Sequence, residues 1–178
     1  SEKTNLQLLL KATEMKGYIP SSLDYHTFQE SPESAAANWA AIEGYENYSN
    51  GQFGISLNRY TVNDGKISVG AFGSLKSLDE LRTFNRLEEQ ANYIGLRAYI
   101  QKVVEKNNNR YIFTTGAEMF RESYDWSTYK NDNRALLSDN NEKRQYENLF
   151  IQMESNFNDV FFISAGLNGN LTRFDYSD

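Results

Sequence analysis

Apolar side chains recur at short intervals along this chain, and their spacing divides it into elements. Leu6, Leu9 and Leu10, with Thr13, share one face at helical spacing, so a helix is expected over 3–16, stopped by Gly17. Residues 20–34 hold both prolines and read as a loop. The alanine-rich run 35–43 has high helix propensity, and 44–52, rich in Gly, Tyr, Asn and Ser, reads as a loop. Phe53, Ile55 and Leu57 alternate with small or polar residues, the period of a half-buried strand. Asn63-Asp64-Gly65 suits a tight turn, so 53–61 and 66–72 should form an antiparallel hairpin.

Ser77 stands three residues before Glu80, the spacing of a capping box. A long helix is expected behind it, over about 78–106, with Leu81, Phe84, Leu87, Ala91, Ile94 and Ala98 as its stripe. Asn107 to Asn109 break it, and 110–115 read as a strand. Residues 116–142 show no clear period. Tyr146, Leu149, Phe150 and Met153 predict a helix over 143–156. Val160–Ile163 is a short strand, Asn168-Gly169 a second hairpin turn, and Leu171–Tyr176 the last strand. The expected fold class is α+β: an antiparallel sheet of about five strands with the long helix and N-terminal helices packed against it. One domain is expected over 1–178, with a helical part at 1–43 and a sheet-containing core at 53–178.

Composition narrows the function. A chain of 178 residues is long enough to bury roughly 70% of its unfolded surface in a core. The 39% apolar and 14% aromatic content, with 20 Asn and 2 Pro, excludes collagen, a coiled-coil rod and a low-complexity tail. The net charge of −6 leaves no surplus of Lys and Arg to displace counterions, which excludes nucleic acid as a partner. Without cysteine there is no disulfide scaffold, thiol nucleophile or thiolate metal site. No stretch approaches 18 consecutive apolar residues, so no membrane span is expected within the sequence. A chain that starts Ser-Glu-Lys rather than on Met reads as a processed or excised piece, and equally as one that carries a purification remnant.

Catalytic chemistry finds little purchase. The single histidine, His26, sits in the Pro/Ser segment and reads as a surface residue. There is no Gly-x-Ser-x-Gly elbow, Walker loop or Gly-x-Gly-x-x-Gly. Glu88-Glu89 reads as a solvated face, and the Asn/Asp-rich loop from Asn131 to Asn141 lacks the spacing of an EF-hand. No enzyme, metal site or cofactor is expected. Arg110 to Trp126 is the richer segment. Arg110 and Arg121 offer forks for a carboxylate, Thr115 a hydroxyl, and Phe113, Tyr124 and Trp126 aromatic walls. The same residues serve equally as core aromatics with snorkelling arginines.

Gly70-Ala71-Phe72-Gly73-Ser74-Leu75, a helix, Tyr111-Ile112-Phe113-Thr114-Thr115 and Tyr124-Asp125-Trp126 together resemble the extracytoplasmic Cache-type, PAS-like sensor domains of bacterial receptors. The resemblance covers about 70–126. Ile112-Phe113 stand in place of that family's tyrosine pair, Thr115 in place of its serine and Asp125 in place of its proline. It implies a ligand-sensing module on the periplasmic side of the inner membrane, attached through flanking segments outside this chain, with a homodimer among its assemblies. A small molecule bound at Arg110, Phe113, Thr115, Arg121, Tyr124 and Trp126 would shift the receptor between conformations.

Two other readings stay open. A secreted or surface protein could use Tyr45, Tyr48, Tyr124, Trp126 and Tyr129 to stack on sugar rings or anchor a protein partner. An acidic inhibitor or immunity protein could steer onto a basic target.

Overall fold

The alternation visible at Phe53, Ile55 and Leu57 runs through nearly the whole chain. The computed structural model describes residues 3–61 and 65–178, and folds them into one seven-stranded sheet in sequence order, every neighbour antiparallel. The strands are β1 (Lys3–Tyr18), β2 (Tyr45–Tyr60), β3 (Lys66–Leu81), β4 (Arg86–Lys106), β5 (Asn109–Tyr129), β6 (Leu136–Phe157) and β7 (Phe161–Ser177). Two six-residue helices, α1 (Tyr25–Glu30) and α2 (Ala37–Ile42), lie between β1 and β2.

The α+β expectation, with about five strands and a long helix, is therefore wrong. Residues 3–16 are strand because Leu6, Leu8 and Leu10 pair with Leu57, Ile55 and Phe53. The expected helix over 78–106 is the end of β3, a short connection and all of β4. There Ile94, Leu96, Ala98 and Ile100 face Gly73, Ala71, Val69 and Ile67. Ser77 caps nothing; its hydroxyl meets that of Ser49 across the ladder at 2.8 Å. Residues 143–156 lie inside β6, and Asn168-Gly169 passes through the middle of β7 without turning. The hairpin of 53–61 and 66–72 is present and longer, with Tyr60 opposite Lys66. Asn63 and Asp64 of its expected turn lie outside the described residues.

The two ends of the sheet differ. At one end Asn107 and Asn108, with φ of 52° and 59°, link β4 to β5 in two residues. Asn tolerates this left-handed conformation, which a tight hairpin requires. Asn158 and Asp159, at 52° and 57°, start the link between β6 and β7, and Asn156 accepts the Asp159 N–H at 3.0 Å. The opposite end carries 19–44, 82–85 and 130–135. In the first of these, Asp24 caps α1 by accepting the Thr27 N–H at 2.9 Å. These are the turn end and the loop end below.

Period-two alternation gives the sheet two unlike faces. One is apolar. It carries Leu6, Leu8 and Leu10 of β1; Phe53, Ile55 and Leu57 of β2; Ile67, Val69 and Ala71 of β3; and Ile94 to Ile100 at even positions of β4. It continues through Phe113, Ala117 and Met119 of β5, Leu149, Ile151 and Met153 of β6, and Ile163, Ala165 and Leu167 of β7. The belt drifts across the ladder. Its middle lies on the row Leu8–Ile55–Ala71 in β1–β3 and on the row Thr115–Ile151–Leu167 in β5–β7. Such a drift is what a level belt looks like on tilted strands.

This apolar face is the uncovered one. Leu8, Leu149 and Leu167 are 69%, 68% and 77% exposed, whereas Asn58 and Ser74 on the polar face are 4% exposed. Among the described residues only Leu87 and Val103 form a buried hydrophobic core. The expected interior core is absent because the apolar side chains point away from the tightly packed side of the sheet.

Beyond the belt, at the loop end of the same face, Arg86 grips Asp79 with two hydrogen bonds of 2.7 and 2.6 Å, and Tyr45 donates to Asp79 at 3.0 Å. Burial and the Asp79 carboxylate hold the Tyr45 hydroxyl above its ordinary pKa. Asp79→Ala is expected to cost about 1 kcal/mol, because the pair is partly solvated and Glu88, 3.3 Å from Arg86, takes up part of the charge. Chemical denaturation of the variant measures it.

Candidate functional site

The polar face toward the loop end concentrates rings and charges. On β5 every second residue from Phe120 faces this side: Phe120, Glu122, Tyr124, Trp126. Their neighbours come from even positions of β6 and β7, among them Asn140, Arg144, Tyr146, Phe174 and Tyr176. Tyr124 stacks on Trp126 at 4.8 Å, and Trp126 leans on Tyr176 at 5.9 Å. Phe120 stacks on Tyr146 at 4.9 Å. The rings are tied down at their polar tips: Tyr176 donates to Asn140 at 2.7 Å and Tyr146 to Asn170 at 2.6 Å.

Charges frame the rings. Arg144 pairs with Glu142 at 2.5 Å and Glu122 at 3.4 Å, and its guanidinium lies 6.0 Å from the Phe174 ring centre. Glu142 holds the Arg144 guanidinium above its ordinary pKa. Lys76 bridges Glu89 at 3.7 Å and the Tyr48 ring at 5.6 Å. Burial, then a hydrogen bond to the Glu89 carboxylate, pushes the Tyr124 phenol up to about 12. Tyr124 is therefore a neutral donor throughout the physiological range. This side of the sheet offers aromatic faces, guanidinium and ammonium groups and amide donors, and suits recognition of a small polar ligand better than bond-breaking chemistry.

Nearer the turn end the polar face holds a smaller hollow. Gly54 and Gly70 thin its floor, and Gln7, Ser56 and Asn58 form a hydrogen-bonded cluster in it. Arg97 on its rim pairs with Glu118.

The six expected ligand residues all lie on β5, but they do not converge. Arg110, Tyr124 and Trp126 face the polar side; Phe113, Thr115 and Arg121 face the apolar side. Arg110 sits at the turn end, 3.8 Å from Glu105 and roughly 50 Å along the strand from Trp126. Thr115 donates to the Phe150 carbonyl at 3.1 Å. Only Tyr124 and Trp126 are brought together. Phe120, Arg144, Tyr146 and Tyr176 join them; Phe120 is signalled by the alternation of rings at 120, 124 and 126, whereas Arg144, Tyr146 and Tyr176 arrive through the register and leave no signal in the sequence. His26 lies exposed on α1, 3.4 Å from Glu30 one turn away.

A scan of family models and a search of curated proteins find no match. Solved structures do share the fold. The ferric citrate transporter FecA in its unliganded form superposes with a TM-score of 0.82 at 8% identity, over 97% of this chain and 27% of that one. The alcaligin outer-membrane receptor FauA of Bordetella pertussis gives 0.66 at 11% identity, over 98% and 26%. The ferric-catecholate import receptor Fiu of E. coli K12 in its open form gives 0.66 at 10% identity, over 98% and 35%. The chain thus spans about a quarter to a third of the length of these receptors. The seven-strand meander and these neighbours overturn the resemblance to a Cache-type, PAS-like domain and the sensor function drawn from it. They equally give no support to a secreted carbohydrate or protein binder or to an acidic inhibitor.

Proposed function

We propose that this chain forms seven neighbouring strands in the wall of an outer-membrane β-barrel receptor that takes up a small iron complex. The apolar face meets lipid and the polar face lines the lumen. The observation that carries this reading is the continuous, exposed apolar belt opposite a tightly packed polar face. A soluble protein does not leave so large an apolar surface bare. A lipid-facing barrel wall requires one, alternating with polar lumen residues along every strand. No helix among the described residues is long and apolar enough to cross a membrane, but a tilted strand needs only about 9–11 residues. The stretch of β4 from Ile94 to Val104 has that length, its outward row apolar except for Lys102 near the turn end.

Several details fit. Tyr111, Phe157 and Phe161 cluster where the belt meets the turn end, with ring centres 6.0 and 6.3 Å apart, as an aromatic girdle would. Short turns at that end and longer connections at the other match the periplasmic and external ends of such barrels. β1 and β7 each present a long edge, which neighbouring strands of a closed wall would cover. The location that follows is the outer membrane of the cell envelope, not the outer side of the cytoplasmic membrane. The protein acts by binding and passage, not as an enzyme.

Within the lumen the Tyr124–Trp126–Tyr176 run, with Arg144, is the surface proposed to meet the ligand at the external mouth. The solved neighbours are named for ferric citrate and ferric-catecholate complexes, so these are the probes. Titration of the intact protein with each complex should show Trp126→Ala binding one of them about 10-fold more weakly, the loss of one stacked ring. Unchanged affinity for both would remove this patch from the ligand path.

A further inference from the structure

At the upper edge of the apolar belt, toward the loop end, the outward face carries a cleft of about 750 Å³ with two unlike halves. Phe53, Leu75 and Ile94 of β2–β4 make one half greasy. Arg121, Lys143 and Arg173 of β5, β6 and β7 make the other half cationic. The register fixes their spacing. Arg121 and Arg173 share a row, with Gln145 of β6 between them, roughly 10 Å apart across two strand spacings. Lys143 stands one step further toward the loop end, opposite Ser123.

These cations have little to do within the sheet. Arg121 and Lys143 are exposed and have no ion-pair or hydrogen-bond partner among the described residues. Arg173 reaches Glu147 only at 3.7 Å, with both side chains well exposed. Two carboxylates line the cleft: Asp175, opposite Lys143 in the register, and Glu122, which faces the other side of the sheet and pairs there with Arg144; against Arg121, Lys143 and Arg173 the balance stays positive. Neutral hydrogen-bonding groups, Asn92, Ser123 and Gln145, lie among the cations. An Arg in mid-belt would be costly, but at the belt's edge it can hold its stem on apolar surface and its head among lipid headgroups.

We propose that this cleft binds a phosphorylated, acylated glycolipid of the outer leaflet. The acyl chains would run down the belt over Phe53, Leu75 and Ile94. Phosphates would sit on Arg121, Lys143 and Arg173, and sugar hydroxyls on Asn92, Ser123 and Gln145. The inference rests on the barrel reading above, since it needs this face in lipid and the loop end outside. Two separated arginines favour a headgroup with two phosphates over a single one.

The test uses the intact protein in nanodiscs made with a bis-phosphorylated glycolipid, its dephosphorylated form, or phosphatidylglycerol. Bound lipid is counted by native mass spectrometry. Wild type should retain the bis-phosphorylated form at least 10-fold better than either of the others. The triple variant Arg121→Ala, Lys143→Ala, Arg173→Ala should lose that preference, and Arg121→Lys with Arg173→Lys should keep part of it. Equal retention by the triple variant, or equal retention of phosphatidylglycerol by wild type, would overturn the proposal, and so would displacement by millimolar inorganic phosphate alone. Nitroxides on β4 in the same samples report independently whether the apolar face contacts lipid. Their failure would end the barrel reading, whereas loss of glycolipid preference alone would end only this one.

Discussion

Replacing Ile151 by Arg should cost the folded, membrane-inserted protein about 2–4 kcal/mol, while Gln152→Arg beside it should change stability by no more than about 0.5 kcal/mol. Ile151 sits in mid-belt on β6, opposite Thr115 and Leu167, and is 54% exposed. In a water-soluble protein an exposed isoleucine accepts Arg almost freely. In a lipid-facing wall the guanidinium would stand in hydrocarbon. Gln152 points to the opposite face, where its amide donates to Glu154 at 2.8 Å, and an Arg there can keep a bond to the same carboxylate. Urea unfolding of both variants in phospholipid bilayers measures the difference. Two equal, small effects would mean that the apolar face is not in lipid.

The second large effect is steric. A Cβ on Gly116 would fall 2.6 Å from the Ala98 carbonyl oxygen, 2.6 Å from Cζ of Phe150 and 2.7 Å from Cβ of Tyr99. Gly116 stands directly opposite Phe150, whose ring lies over it. Phe53 over Gly73 and Phe72 over Gly95 repeat the device on neighbouring strands, each a direct cross-strand pair. A ring resting on a bare backbone shields the ladder where glycine leaves it open. Gly116→Val would force both the ring and the β4 backbone to move, at an expected cost of about 1–3 kcal/mol. Gly17, whose Cβ would meet nothing within 4 Å, is the control. Gly17→Ala should be neutral or stabilising by about 0.4–1 kcal/mol. Denaturation midpoints of the two variants check the contrast.

Little of this fold was legible in the sequence, and the reason is geometric. Positions four apart satisfy both a helix and a strand. Leu6 and Leu10, Ile94 and Ala98, and Leu149 and Met153 therefore fit a helical stripe as well as a ladder. The deciding residues were the ones between: Leu8, Leu96 and Ile151, each apolar and each on the wrong side of a helix. At Phe53, Ile55 and Leu57 no such ambiguity arises, and the strand expected there is present. Asn107-Asn108 suits a helix breaker, but its tolerance of positive φ equally marks a hairpin turn. A strand that shows an apolar side chain only at every second residue contains no long apolar run, so such a span is invisible to that criterion. Lumen-facing polar positions and strand ends beyond the belt hold the mean hydropathy at −0.68.

The candidate site was legible only as a pair. Tyr124 and Trp126 stand out in the sequence by their rings and do stack. Arg110, Phe113, Thr115 and Arg121 are near them only in sequence, and a strand separates such residues by length and by face. The partners that do converge, Arg144, Tyr146 and Tyr176, come from β6 and β7 through the register, which spacing within one segment cannot reveal.

Oxygen and nickel-chelate accessibility of nitroxides placed singly from Asn92 to Val104 of β4, in the intact protein in a bilayer, tests the orientation of this sheet most directly. The chain contains no cysteine, so each label site in it is unique. Even positions from Ile94 to Ile100 should show high oxygen and low nickel accessibility, and odd positions from Tyr93 to Gln101 the reverse, with a period of two. Accessibility to the nickel chelate at Leu96 and Ala98 equal to that at Arg97 and Tyr99 would contradict it.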